Sequence, residues 1–132
     1  MQYRINPRNG DRISALGLGC MRFPGPPGRP DARQARAIIA RAVERGVNYL
    51  DTAYLYPGNE ACVGAALEGL GLRDGVFLAT KLPHGSVRGA ADLDRIFEEQ
   101  LRRLRTDRVD YYLIHNVTSP SQWESLRAAG AE

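Results

Sequence analysis

The sequence predicts an α/β fold in which parallel strands alternate with helices packed outside the sheet. Three observations carry that expectation. Short apolar segments, ALGLG, VNYLD, GVFLATK and VDYYLIH, recur about every thirty residues, the length of a strand–helix unit. The gaps between them hold stretches with helical spacing of apolar residues. The strands end in different polar side chains, which sets ionisable groups where α/β folds collect their ligands, at the C-terminal rim of a parallel sheet.

The elements follow in order. QYRIN and RISA are short alternating segments on either side of PRNG, a turn-forming stretch with Asn-Gly at its tip, so the first twenty residues are expected to open with a β-hairpin. ALGLG follows as a buried strand, and FPGPPGRP is a proline- and glycine-rich loop that excludes helix. Asp31 is placed to cap the helix behind it. From there to Gly46, the apolar Ala35, Ile38, Ile39, Ala42 and Val43 fall at i, i+3, i+4, i+7 and i+8, which paints one helical face, and Gly46 supplies the stop. VNYLD is a short strand, TAYLYPGN a loop, and a second helix runs from about Glu60 to Leu70. Asp74-Gly75 precede the strand GVFLATK. A third helix begins near Ala90, with Leu93, Ile96, Phe97, Leu101 and Leu104 on one side. VDYYLIH is the last strand, and SPSQWESLRAAGAE opens a fourth helix at a Ser-Pro-Ser cap. Two architectures fit this alternation: an open doubly wound sheet, or the first half of a (β/α)8 barrel.

Composition narrows the function classes. The chain of 132 residues is 43% hydrophobic and 25% charged, the balance of a globular domain and not of a disordered or fibrous chain. No apolar run approaches the roughly 20 residues of a membrane span, and MQYRINPRNG lacks the apolar core of a secretory signal, so a cytoplasmic protein with no membrane partner is expected. Cys20 and Cys62 are far apart and neither sits in a CxxC, which argues for free thiols and for no metal site. The net charge is +3, but the arginines interleave with acids, as in RIFEEQLRRLRTDR; a solvated helix face explains that run, and no nucleic-acid partner is expected.

Of the eighteen basic residues only Lys81 is lysine. It ends the strand GVFLATK. Asp51 ends the strand before it, Tyr54 and Tyr56 lie in the loop after Asp51, and His115 with Asn116 closes the last strand. Each has a dull explanation alone: Asp51 as a turn cap, Tyr56 as packing, Lys81 as a solvated amine, His115 as a satisfied core histidine. Together they would face one mouth. A phenol with a reference pKa of about 10 is a poor acid near neutrality, and a nearby ammonium favours its ionised form. A carboxylate would steady that ammonium, and an imidazole N–H could hold an oxygen gaining charge. Such a set protonates a carbonyl oxygen while something else attacks its carbon. A compact ammonium approaches a phenol more closely than a broad guanidinium, which gives one reason for lysine here.

ISALGLGCMRF, GVNYLDTAYLYPGNEACVG, FLATKLP and QLRRLRTDRVDYYLIHN, in that order, resemble the aldo-keto reductase family. The resemblance spans essentially the whole chain, residues 1–132. It implies the N-terminal half of a TIM (β/α)8 barrel, with parallel strands one to four behind an N-terminal hairpin. It matches Asp51, Tyr56, Lys81 and His115 to the family's catalytic positions, with Tyr56, five residues after Asp51, as general acid and Tyr54 as its neighbour. It implies reduction of a small carbonyl substrate by NADPH. Gly19, Cys20, Met21 and Asp51 match the place where the family meets the nicotinamide end of the cofactor, and Tyr54 and Asn116 are expected to line the substrate mouth. LGCMRFP, DTAYLYPGNE and SQWESL further resemble a bacterial subgroup whose longer members carry an iron–sulfur domain, and two cysteines here cannot ligate a four-cysteine cluster.

The chain departs from that family in length. A barrel of this kind takes about 250 residues. Four strands leave two open edges, so either a fragment with most of the NADPH site missing or a homodimer paired edge to edge is expected. Two other functions remain at this point: a Schiff-base aldolase with Lys81 as nucleophile, and a non-catalytic module that senses redox state.

Overall fold

The structure, a computed structural model, describes residues 1–131. Two antiparallel strands, β1 (Tyr3–Ile5) and β2 (Arg12–Ser14), form the N-terminal hairpin. Behind it come β3 (Leu18–Gly19), α1 (Ala32–Glu44), β4 (Tyr49–Asp51), α2 (Asn59–Leu70), β5 (Phe77–Leu82), α3 (Ala90–Leu104), β6 (Tyr111–Ile114) and α4 (Pro120–Ala128). Strands β3 to β6 form one parallel sheet in sequence order, with Gly19 opposite Asp51, Asp51 opposite Ala79 and Lys81 opposite Leu113. A hairpin followed by four parallel strands in this order is the first half of a TIM-barrel topology.

Local chemistry sets the element ends. The Asp31 carboxylate accepts from the Gln34 amide and caps α1, as its position before the apolar stripe predicts. Ser119 caps α4 in the same way, with Pro120 in the first turn. The stripe on α1 is narrower than its spacing implies: Ala35 and Ile39 are fully buried, while Ile38 is 36% exposed.

The core lies between the outer face of the sheet and the helices. Ile39, Leu50, Val63, Leu67, Leu78 and Leu104 are all buried there, each worth roughly 1.5–3 kcal/mol on removal from water. The other face, which a closed barrel would turn inward, carries Tyr49, Phe77 and Tyr111 at the N-terminal ends of β4, β5 and β6, with ring centroids 5.4 Å (Tyr49–Tyr111) and 6.1 Å (Phe77–Tyr111) apart. The hairpin is fastened beneath them. Tyr111 donates its hydroxyl to Asp11 at 2.6 Å and accepts from the Asn6 amide at 3.1 Å.

The expected buried strand at ALGLG needs correction. β3 is two residues long, Leu18 is half-buried and Gly19 is exposed, because β3 is an edge strand with no neighbour on its far side. At the opposite edge, Tyr112 and Leu113 of β6 are 41% and 39% exposed. Among the described residues no helix is long and apolar enough to cross a membrane.

Candidate active site at the strand ends

Side chains alternate across a strand, so the register fixes which residues share the inner face. Tyr49 and Asp51 of β4, Phe77, Ala79 and Lys81 of β5, and Tyr111 and Leu113 of β6 form matching rows, with His115 one step beyond. Asp51, Lys81 and His115 therefore meet at the C-terminal rim. Tyr56 arrives from the loop after β4, in a turn closed by hydrogen bonds from Tyr56 N to the Ala53 carbonyl and from Asn59 N to the Tyr56 carbonyl.

The lysine explains itself. Its ammonium donates to both carboxylate oxygens of Asp51, the second at 2.6 Å, and to the Thr52 carbonyl at 2.8 Å. All three N–H groups are thereby used in a slot where only 14% of the side chain is exposed. The charge sits 5.2 Å from the centroid of the Tyr56 ring. The Tyr56 hydroxyl makes no hydrogen bond among the described residues, so the ammonium stands beside the ring and does not bond the phenol oxygen. The His115 ring stands edge-on to Tyr56 at 5.6 Å and 88°.

Burial, and then the nearby Lys81 charge, hold the His115 imidazole below its ordinary pKa, with Asp51 opposing. Its Nδ1 is buried and has no hydrogen-bond partner among the described residues. Orphaned buried N–H groups are rarer than orphaned acceptors, so the lone pair belongs on Nδ1 and the proton on Nε2. With the folded pKa depressed, His115 favours folding fully above the unfolded value near 6.5 and loses that contribution as pH falls through the folded one. In an NMR titration of the two-histidine chain, His115 is expected to titrate below 6.5; a midpoint above it would contradict this environment.

The other expected site residues divide. Asn116 lies at the rim in a left-handed conformation, φ 58°. Gly19 faces open space, and Met21 beside it is 52% exposed. Cys20 lies between them but turns its thiol into the core, where burial and then the Asp51 charge push its pKa up to about 12; only its backbone meets the site, through Cys20 N donating to the Asp51 carbonyl. Tyr54 turns to the helix layer. Its hydroxyl donates to Glu99 of α3 at 2.9 Å and its ring lies 4.3 Å under the Arg103 guanidinium. It therefore does not join Lys81 and His115.

Behind the lysine lies a buried polar cluster that the sequence reading did not single out. Glu60, Thr80 and Gln100 are all at most 2% exposed. The Thr80 hydroxyl donates to Glu60 at 2.7 Å. The Gln100 amide nitrogen reaches Glu60 at 2.8 Å, Thr80 at 2.9 Å and the Lys81 carbonyl at 3.2 Å. Tyr112 donates to the Gln100 carbonyl oxygen, and Arg103 pairs with Glu60 at 3.1 Å. These bonds tie α2, β5, α3 and β6 together outside the site. The signal was present: Gln100 is a polar residue on the same stripe of α3 as Leu93, Ile96 and Leu104. Among the described residues no group of three or more histidine, cysteine or acidic side chains is disposed to hold a metal.

The chain is thus a half-barrel that carries a phenol, an amine, a carboxylate and an imidazole at its rim. The family model described as "Aldo/keto reductase family" matches residues 15–129. The chain belongs to that family. An uncharacterized oxidoreductase of Bacillus subtilis, YqkF, is 35% identical over 80% of this chain and 36% of its own; morphine 6-dehydrogenase of Pseudomonas putida is 37% identical over 84% and 35%. Among solved structures, a thermostable aldo-keto reductase, Tm1743, superposes with a TM-score of 0.79 at 33% identity, covering 99% of this chain and 49% of that one. An aldo-keto reductase of Klebsiella pneumoniae in complex with NADPH gives 0.72 at 31%, covering 99% and 46%. The chain thus spans little more than a third of these curated relatives and about half of these solved ones.

Proposed function

We propose that the chain is the acid–base half of an NADPH-dependent carbonyl reductase, and that Tyr56 is its proton donor. The observation that carries this reading is the meeting of Asp51, Tyr56, Lys81 and His115 at one rim from three strands. The residues present fit the nicotinamide end of such a cofactor: nothing stands within 4 Å of where a Cβ at Gly19 would lie, so its backbone is open to a ligand, and Met21 is exposed beside it. NADPH, when bound, supplies a hydride to the carbonyl carbon.

The chain's own residues handle the oxygen. Tyr56 donates its hydroxyl proton to the carbonyl oxygen, a positioned acid worth about 10²- to 10⁴-fold. Lys81 stabilises the resulting phenolate through its field, 5.2 Å from the ring centroid. Asp51 and the Thr52 carbonyl fix that charge in place. His115, neutral near pH 7, presents its Nε2–H to the same oxygen, and Asn116 borders the mouth. The aldolase alternative loses support because all three N–H groups of Lys81 are committed to acceptors, whereas Schiff-base formation needs a free lone pair on nitrogen.

A chimera of this chain with the C-terminal half of the thermostable relative tests the reading. It is expected to oxidise NADPH with an aromatic aldehyde, and Tyr56→Phe is expected to lower kcat about 10²- to 10⁴-fold with NADPH affinity unchanged. A Tyr56→Phe chimera that turns over like its parent would overturn the role of Tyr56. The chain by itself is expected to bind NADPH weakly or not at all; micromolar affinity in a titration of NADPH fluorescence would contradict a divided cofactor site. Its open edges at β3 and β6 support pairing of two copies, and sedimentation distinguishes that dimer from the 14.6 kDa monomer.

A further inference from the structure

We propose that His84, outside the tetrad, is a positioning residue for His115: it clamps the backbone from which the His115 imidazole projects into the mouth. This rests on the reading of His115 as a group that meets the carbonyl oxygen, and it concerns how that group is aimed.

Among the described residues nothing hydrogen-bonds the His115 side chain to orient it. Its Nδ1 is buried without a partner, and Nε2 is the atom left for substrate. Its orientation must come from the backbone and from the Tyr56 ring. The β5–β6 ladder ends at Leu82 opposite Ile114. One residue later, His115 N donates to the Leu82 carbonyl at 2.9 Å. One residue later again, Asn116 takes φ 58°, a left-handed conformation that side chains other than glycine seldom adopt. The peptide between His115 and Asn116 thus lies at the break where the strand gives way to loop.

That peptide is held by His84, whose Nδ1 lies 2.7 Å from the His115 carbonyl oxygen. A carbonyl only accepts, so Nδ1 carries the hydrogen and donates it. Both backbone polar groups of His115 are consequently bound by the segment 82–84 that follows Lys81 on β5. The clamp is stiff. Pro83 between the two anchoring residues is buried with φ −78°, and His84 opens a one-turn 3-10 helix, His84–Ser86, closed by hydrogen bonds to the Pro83 and His84 carbonyls. The same short segment therefore carries Lys81 on one side and holds the His115 backbone on the other.

The charged and titratable groups facing His115 are Lys81, Asp51, Tyr56 and His84. Removing the clamp is expected to let the His115 ring swing from Tyr56 and Lys81 toward water.

The chain holds only two histidines, so each imidazole is resolved and assigned by NMR. In His84→Ala the NOE between the His115 and Tyr56 rings is expected to disappear. In His84→Asn, whose side-chain amide nitrogen can occupy the place of Nδ1, it is expected to return to that of the parent; the His115 titration is no readout here, because the His84 charge itself helps to lower it. Circular dichroism reports retention of the fold, and His84→Leu, which keeps side-chain bulk, reads the same NOE should the alanine variant unfold. A donorless variant that keeps the ring NOE would overturn the proposal, as would an asparagine variant that behaves like the alanine one. The readout is ring geometry, so its outcome is separate from whether Tyr56→Phe abolishes turnover in the chimera.

Discussion

Lys81→Met in the closed chimera is expected to lower kcat by at least about 10²-fold, with the aldehyde KM changed far less. Methionine fills the stem of the slot but carries no charge. The loss is double in sign: the positive field beside the Tyr56 ring disappears, and the Asp51 carboxylate, 30% exposed and now unpaired, directs an uncompensated negative charge at the forming phenolate. Lys81→Arg is expected not to rescue, because a planar guanidinium cannot address both Asp51 oxygens and the Thr52 carbonyl from the same pocket. The chain by itself reports the same pair through stability: Lys81→Met is expected to cost about 1–2 kcal/mol in urea denaturation, less than a fully buried pair because the site is partly wet. A Lys81→Met chimera with undiminished kcat would remove the amine from the mechanism.

The largest expected effect on folding comes from Gly64→Ala, which is expected to cost at least about 3 kcal/mol. Helix α2 lies so close to the end of α3 that a Cβ at Gly64 would stand 2.5 Å from the Leu104 carbonyl carbon and 2.6 Å from the Arg103 and Leu104 carbonyl oxygens. These are backbone atoms at a helix terminus and cannot turn aside as a side chain would. The helices must separate, opening the core around Val63, Leu67 and Leu104. Gly69→Ala, five residues further along α2, is the control. Its Cβ meets nothing nearer than the Arg36 guanidinium carbon at 3.9 Å, so the gain in helix propensity should stabilise by about 0.5–1 kcal/mol. Thermal or urea melts of both variants with the same sign would contradict the close approach.

The alternation of four apolar strands with helical stretches was legible because burial imposes its period on the sequence, and the Asp31 and Ser119 caps because their chemistry is local. The identity of the rim residues was legible because register carries Asp51, Lys81 and His115 to one end of a parallel sheet without reference to any loop. What escaped depends on three-dimensional neighbours. Tyr54 lies two residues from Tyr56, yet Glu99 and Arg103, far along the chain on α3, draw it into the helix layer. Cys20 sits between two rim residues, but the alternation of side chains sends its thiol to the core. The closeness required at Gly64 is likewise a property of two helices and is written in neither alone. The short, exposed β3 follows from an open edge, which no local pattern encodes.

The convergence of the tetrad is most directly tested by NOE spectroscopy on the chain labelled with 13C-lysine. Because Lys81 is the sole lysine, the label gives one side-chain spin system. NOEs from its terminal methylene to the Tyr56 ring protons are expected, with Tyr56 also in contact with the His115 ring. A folded chain whose single lysine shows no contact to Tyr56 would separate the amine from the phenol and remove the basis for reading this rim as a proton-donating site.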